Sequence, residues 1–366
     1  MRPALIAVLL AISAAVSAGE EPRPALVLFL LGDAGAPDPA GEPVLAALAR
    51  QVAVDPERSV VVFLGDNVYP AGVPDAASPR RAEAERRLSV QLLAAREASR
   101  TIVLPGNHDW EDGGPGGWDA VRREEALVGR AARTVYVPGG GCPGPVTLDV
   151  GASLRLVALD TQWWLHPGPK PGPGSGCAEA TEDAVVAALR ASLSGAGTRR
   201  VAVVAHHTLL SGGGHGGHFT VLQHLFPFRE FADWLWVPIP ILGSAYPAAR
   251  MSGVSPQDVS SAAYGHMLAT LRPVLASARP LFWASGHEHN VQVLDGRALG
   301  PRTLLVAGGG IYGKTSPVSR IPETRHASTE AGFLRVLLFP DGRTTVAAFA
   351  AARDGTARER WSGPLD

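Results

Sequence analysis

Three short apolar runs, each ending at once in a glycine and a polar residue, constrain this chain more than any other feature. Ala25–Leu31 runs into Gly32-Asp33-Ala34-Gly35, and Ser59–Leu64 runs into Gly65-Asp66-Asn67-Val68-Tyr69. Thr101–Leu104 leads to Gly106-Asn107-His108-Asp109. Between these runs, Pro43–Val54 reads as a helix, and a second helix opens at Ser78-Pro79 and runs towards Ser99 with an Arg/Glu-rich polar face. Runs with no polar alternation must be covered on both faces, and their alternation with helices predicts a parallel sheet. In such sheets ligand-binding groups collect just beyond the carboxyl ends of the strands.

The same grammar continues. Leu154–Leu159 and Arg200–Ala205 read as strands on either side of a helix over Glu182–Leu193, and the second strand ends in His206-His207. Pro280–Ala284 leads to Gly286-His287-Glu288-His289-Asn290. Thr303–Ala307, Phe333–Phe339 and Thr344–Phe349 alternate with turns, which predicts antiparallel strands completing a second sheet. No linker or internal repeat divides the chain, so residues 19–366 are expected to form one catalytic domain.

The first 18 residues read as a secretory signal: Arg2, an apolar run over Leu5–Val16, then small residues ending at Ala18. A secreted or periplasmic protein is therefore expected. Cys142 and Cys177, the only cysteines, could pair in an oxidising compartment or remain two thiols. The formal net charge of −1 offers no broad basic field, so nucleic acid is not expected as the main partner.

Hard and borderline cations take carboxylate, imidazole, phenolate and amide oxygen ligands, and one carboxylate can bridge two ions. Asp33, Asp66, Asn107, His206 and His287 each follow a predicted strand, with His289 two residues beyond His287. Singly, an Asp or Asn after glycine is ordinary turn chemistry. Five such motifs in order, each at a strand end, point instead to a metal-dependent site.

The set Gly-Asp-x-Gly, Gly-Asp-x-x-Tyr, Gly-Asn-His-Asp, a His-ended strand and Gly-His-x-His resembles the calcineurin-like metallophosphoesterases. Tyr69 within the second motif narrows the resemblance to the purple acid phosphatase branch, and the chain length to its small tartrate-resistant type. The resemblance implies a four-layer α/β/β/α sandwich, two mixed sheets flanked by helices, with the metals at one edge. It implies that Asp33, Tyr69, His289 and bridging Asp66 hold a first metal, usually iron(III). Asp66, Asn107, His206 and His287 would hold a divalent second ion, iron, zinc or manganese. His206 is chosen over His207 because it stands first after the strand, and successive strand residues alternate faces. The implied reaction is hydrolysis of a phosphate ester by metal-activated water, a monoester before a diester, with a phosphodiesterase or nucleotidase as the alternative. His108 and His215 match substrate-facing positions and are the candidate proton donors, with His218 a third.

Two other features compete. Gly308–Thr315 fits the P-loop pattern G-x-x-x-x-G-K-[ST], but a P-loop must open a helix, and Ser316–Pro322 carries two prolines and no helical period. Phe219–Gly265 is an insertion rich in aromatics and proline. It is read first as packing on the protein's own core, with a lid or a membrane- or partner-facing patch as alternatives. A non-catalytic interaction protein is disfavoured because no expected ligand is replaced. The partner expected is a small phosphorylated substrate, with peripheral membrane contact through the insertion kept as an alternative; a monomer is expected.

Overall fold

The computed structural model describes residues 22–230 and 234–365. The expected signal segment, residues 1–18, lies outside these residues, as does Phe231 of the insertion. The chain begins with β1 (Leu26–Leu31), α1 (Pro43–Val52), β2 (Ser59–Leu64), α2 (Arg81–Ala94), β3 (Arg100–Leu104), α3 (Gly117–Val128) and β4 (Thr134–Tyr136). The strands pair in parallel in the order β1-β2-β3-β4, as the unbroken apolar runs require. Alternate residues of β1 serve different cores. Leu26, Leu28 and Leu30 face the inter-sheet core, whereas Val27, Phe29 and Leu31 pack with Val44, Leu45 and Leu48 of α1.

The second half-fold comprises β5 (Val146–Val150), β6 (Leu154–Ala158), α4 (Gln162–Leu165), α5 (Glu182–Ser194) and β7 (Arg200–Val204). It continues through short helices α6 (Val221–Leu225) and α7 (Ala245–Met251), then the long α8 (Ala262–Ala278). β8 (Phe282–Ser285), β9 (Val291–Asp295), β10 (Thr303–Ala307) and β11 (Thr324–Ser328) follow. The second sheet runs β11-β9-β10-β8-β7-β6-β5, with β6, β7, β8 and β10 parallel. Its outer face packs Val157, Val203 and Trp283 against Val185 and Leu189 of α5 and Tyr264 and Met267 of α8. Helices thus cover the outside of both sheets, giving the four-layer α/β/β/α sandwich.

One expectation about the second sheet is corrected. β12 (Gly332–Leu338), β13 (Thr344–Ala351) and β14 (Ala357–Pro364) extend the first sheet, and only β10 of the three predicted strands lies in the second. β12 pairs antiparallel with β1, Leu28 opposite Val336. The free edge of β1 needed a hydrogen-bonding partner, and a hairpin returning from the far end of the chain supplies it. The helices α3 and α8 are not predicted from the sequence, although α8 turns Tyr264, Met267, Leu271, Val274 and Leu275 inwards along one face.

The P-loop reading also fails: no helix follows β10, and residues 314–321 have no regular structure. Cys142 and Cys177 form a disulfide, joining two Gly/Pro-rich loops. Among the described residues no helix is long and apolar enough to cross a membrane.

Candidate metal centre

The predicted residues converge where the carboxyl ends of β1, β2, β3, β7 and β8 meet. Asp33, Asp66 and His287 adopt left-handed backbone conformations, with φ of 60°, 56° and 70°. For residues other than glycine this backbone is costly, and such strain gathers at functional sites. Glycines permit the close approach of the loops. A Cβ on Gly106 would lie 2.3 Å from Asp66 Oδ1, and one on Gly286 would lie 2.5 Å from Asp33 Oδ2.

Two groups of side chains face one another. In the first, Tyr69 Oη lies 3.2 Å from Asp33 Oδ1, 3.1 Å from Asp66 Oδ2 and 2.9 Å from His289 Nε2. Asp33, Asp66 and His289 are close enough to share one cation. Burial and the two carboxylates push the Tyr69 phenol well above its ordinary pKa, so a cation must be present before it ionises. Burial acts to raise Asp66, but the charges of His206 and His108 and the His108 N–H outweigh it and bring the carboxyl down to about 2.

In the second group, His206 Nδ1 donates to the Leu64 carbonyl at 2.8 Å, and its Nε2 lies 3.0 Å from Asn107 Oδ1. His287 Nε2 donates to the Gln257 carbonyl at 2.8 Å, which leaves its Nδ1 lone pair 3.2 Å from the same oxygen. Asn107 Nδ2 donates to Asp112 Oδ1 at 3.1 Å and fixes the amide with its oxygen inward. The two imidazole nitrogens are 3.3 Å apart, and Asp66 Oδ1 is 3.5 Å from His206 Nε2. Asn107 Oδ1 and the Asp66 carboxylate, both acceptors, thus crowd the imidazole nitrogens of His206 and His287, an arrangement that a cation satisfies. The donor set fits hard or borderline metals.

His207 lies near His206 and His287. Both its ring nitrogens are engaged elsewhere, Nδ1 with Thr161 Oγ1 at 2.7 Å and Nε2 with Gln257 Oε1 at 2.8 Å. Burial, with neighbouring imidazoles, holds His207 and His287 well below the usual histidine range, so both are neutral at pH 7. Trp283 Nε1 donates to the His207 carbonyl at 3.0 Å, and Tyr264 Oη to the Thr208 carbonyl at 2.6 Å, locking this turn to β8 and α8.

Above the two groups is a cleft of about 220 Å³ lined by His108, His215, Arg250 and Gln257 together with Asp66, Asn107, His287 and His289. His108 Nδ1 donates to the Pro70 carbonyl at 2.6 Å, and its Nε2 lies 4.0 Å from Asp66 Oδ2. His215 packs against His287 with ring centroids 4.0 Å apart and planes tilted by 37°, and donates from Nδ1 to Asp258 Oδ1 at 2.9 Å. Arg250 closes the same carboxylate with a bidentate pair from the other side. His218 is half-buried and is not part of this lining.

The sequence reading missed Arg250, Gln257 and Asp258, which belong to the insertion and carry no motif. Asp109 stands inside the Gly-Asn-His-Asp motif but had no role assigned. Its carboxylate accepts from the backbone N–H of Asn67, Val68 and Gly106, clamping two of the ligand loops together. Burial and nearby Asp66 push it up to about 6 against those hydrogen bonds.

The competing P-loop residues pack beside this centre instead. A Cβ on Gly308 would meet the Glu288 carbonyl at 2.0 Å and Asp33 Oδ2 at 2.7 Å. The insertion departs from the expected core packing. Trp234, Trp236, Ile241 and Leu242 are exposed, because Pro238 and Pro240 prevent a helix that could turn them inwards. Among the described residues Trp236 makes local contacts, with Phe226 edge-on at 5.3 Å and the Arg229 guanidinium over its ring.

No family description matches the sequence, and no curated protein matches it. Solved structures do match. GAP50, the anchor in the inner membrane complex of Plasmodium, gives a TM-score of 0.56 at 17% identity, over 93% of this chain and 88% of that one. The chain has the calcineurin-like phosphoesterase fold. PhoD matches at a TM-score of 0.54 and 13% identity, over 93% and 69% of the two chains. The purple acid phosphatase PPD1 from yellow lupin (Lupinus luteus) seeds matches at 0.53 and 14%, over 93% of this chain and 53% of that chain. The chain spans about half the length of the lupin enzyme. At these identities the likeness establishes the fold alone.

Proposed function

We propose that this chain is a secreted or periplasmic dinuclear-metal phosphoesterase of the purple acid phosphatase type, hydrolysing phosphate monoesters. The observation that carries the reading is the convergence of four metal-ligating atoms within hydrogen-bond reach of one another: Asn107 Oδ1, His206 Nε2, His287 Nδ1 and Asp66 Oδ1. Asp33, Tyr69, His289 and Asp66 would hold iron(III), and Asp66, Asn107, His206 and His287 a divalent ion. Such a pair, when bound, supplies Lewis acidity and acidifies coordinated water.

The chain's own residues account for the remaining needs of ester hydrolysis. His108 and His215 flank the cleft, and each fixes Nδ1 as a donor to the protein, so Nε2 is the atom that can hand a proton to the leaving alkoxide. Asp258 stabilises His215 when it carries that second proton. Arg250 brings a cation to the cleft wall, where the phosphate of a small substrate would lie.

Metal analysis of the purified protein tests the centre, with about two ions per chain expected. Fewer than one would overturn it. A panel of soluble monoesters and diesters tests the reaction, and faster turnover of diesters would move the assignment to a phosphodiesterase.

A further inference from the structure

The segment that closes the cleft also carries most of the exposed apolar surface. Among the described residues thirteen large apolar side chains are exposed, and ten of them lie between Val221 and Val254. At its tip Trp234 is 78% exposed, Ile241 88% and Leu242 76%, with Trp236 and Val237 beside them. Leaving such side chains in water forfeits the free energy their burial would release. Sixteen consecutive residues, Trp234 to Ala249, include no charged side chain.

The tip is short and tied at its base. Ile239 N donates to the Leu225 carbonyl at 2.8 Å and Gly243 N to the Ile239 carbonyl at 2.8 Å. A 3₁₀ turn over Leu242–Ser244 leads directly into α7, whose Arg250 lines the cleft, so tip and cleft stand at the two ends of one short helix. Arg250 bonds Tyr246 Oη at 2.9 Å on the way and ends on Asp258 beside His215.

The composition selects the occupant. A protein partner surrounds an apolar centre with a polar, hydrogen-bonding rim. These sixteen residues carry no charge of their own to match an acidic or basic surface, and the nearby Arg229 guanidinium lies over the Trp236 ring, 3.9 Å from its centroid. Exposed tryptophan beside aliphatic residues suits the headgroup level of a bilayer, where an apolar body and an indole N–H are both accommodated. We infer that this tip seats the cleft on an uncharged or zwitterionic lipid surface, and that the substrate is an amphiphilic phosphomonoester, the phosphate of a lipid alcohol. The inference rests on the phosphoesterase reading. In the reaction, water adds its hydroxyl to phosphorus, the P–O bond to the lipid alcohol breaks, and the proton goes to that alcohol. The products are inorganic phosphate and a free lipid alcohol.

The test uses the metal-loaded full chain and phosphatidylcholine vesicles with and without phosphatidic acid. The wild type is expected to sediment with pure phosphatidylcholine vesicles. The variant Trp234→Ser/Ile241→Ser/Leu242→Ser is expected to bind at least about tenfold more weakly, as loss of that apolar area predicts. Its hydrolysis of vesicle-borne phosphatidic acid should fall by a similar factor. Hydrolysis of water-soluble p-nitrophenyl phosphate should stay within about twofold, which also reports that the variant is folded. A wild type that ignores vesicles, or a variant as active as wild type on phosphatidic acid, overturns the inference. Self-association abolished in the variant, without vesicle binding, overturns it in favour of a protein partner. Vesicle binding with no hydrolysis of any ester overturns the phosphoesterase reading and the substrate class with it.

Discussion

Tyr69 Oη and His289 Nε2 lie 2.9 Å apart, although 220 residues separate them in the chain. The phenol has one proton and three neighbours, Asp33, Asp66 and His289, so it completes a ring of donors better suited to a cation than to a hydrogen bond. If iron(III) occupies this half of the centre, the oxidised protein should be coloured through the phenolate, and Tyr69→Phe should bleach it while leaving the fold intact. Visible absorption of the two proteins checks this. Colour retained in the variant would remove Tyr69 from the ligand set.

His206 and His207 are neighbours with different work. His206→Ala should cut bound metal by about half or more, because it removes a ligand whose other nitrogen is already oriented by Leu64. His207→Ala should keep its metal and lose about 1–3 kcal/mol of stability, since it leaves Thr161 and Gln257 without their partner. Metal content and urea unfolding separate the two outcomes, and metal loss confined to His207→Ala would reverse the assignment.

Asp258 predicts a pH dependence. Burial acts to raise its pKa, but hydrogen bonds from Arg250 and His215, with their charges, outweigh it and hold the folded carboxyl below its ordinary value. A carboxyl depressed in the folded state stabilises fully above the unfolded pKa of about 3.9, and that stabilisation is lost as pH falls through the folded value. Asp258→Asn should therefore cost about 3 kcal/mol at pH 7 and progressively less below about pH 4. Denaturant midpoints across that range provide the measurement; a gap that stays constant into acid would refute the ion pair. The same variant should slow esters with poor leaving groups more than those with good ones, because it loosens His215.

The Cys142–Cys177 disulfide closes a separation of 35 residues. Its removal in Cys142→Ser/Cys177→Ser should lower stability by about 3–4 kcal/mol through the unfolded chain's added freedom. Neither cysteine lines the cleft, so metal content should not change. Calorimetry with metal analysis on the double variant tests both statements.

Much of this protein was determined by the sequence alone, namely whatever is encoded within a few residues. Unbroken apolar runs such as Leu26–Leu31 demand cover on both faces, and Gly-Asp or Gly-Asn at their ends demands a sharp turn that aims a polar side chain outwards. The positions of Asp33, Asp66, Asn107, His206 and His287 beyond their strands follow from that. Tertiary structure decided what depends on distant partners. β12 joined β1 because an open parallel edge needed pairing, which nothing local to Gly332–Leu338 specifies. Arg250, Gln257 and Asp258 reached the cleft because the insertion folds back over it, and the ring nitrogen each histidine presents was set by carbonyls such as those of Leu64 and Gln257. The tryptophans of the tip stayed exposed for the same reason: an apolar side chain is buried only where a surface exists to receive it, and among the described residues Phe226 and Arg229 cover only part of Trp236.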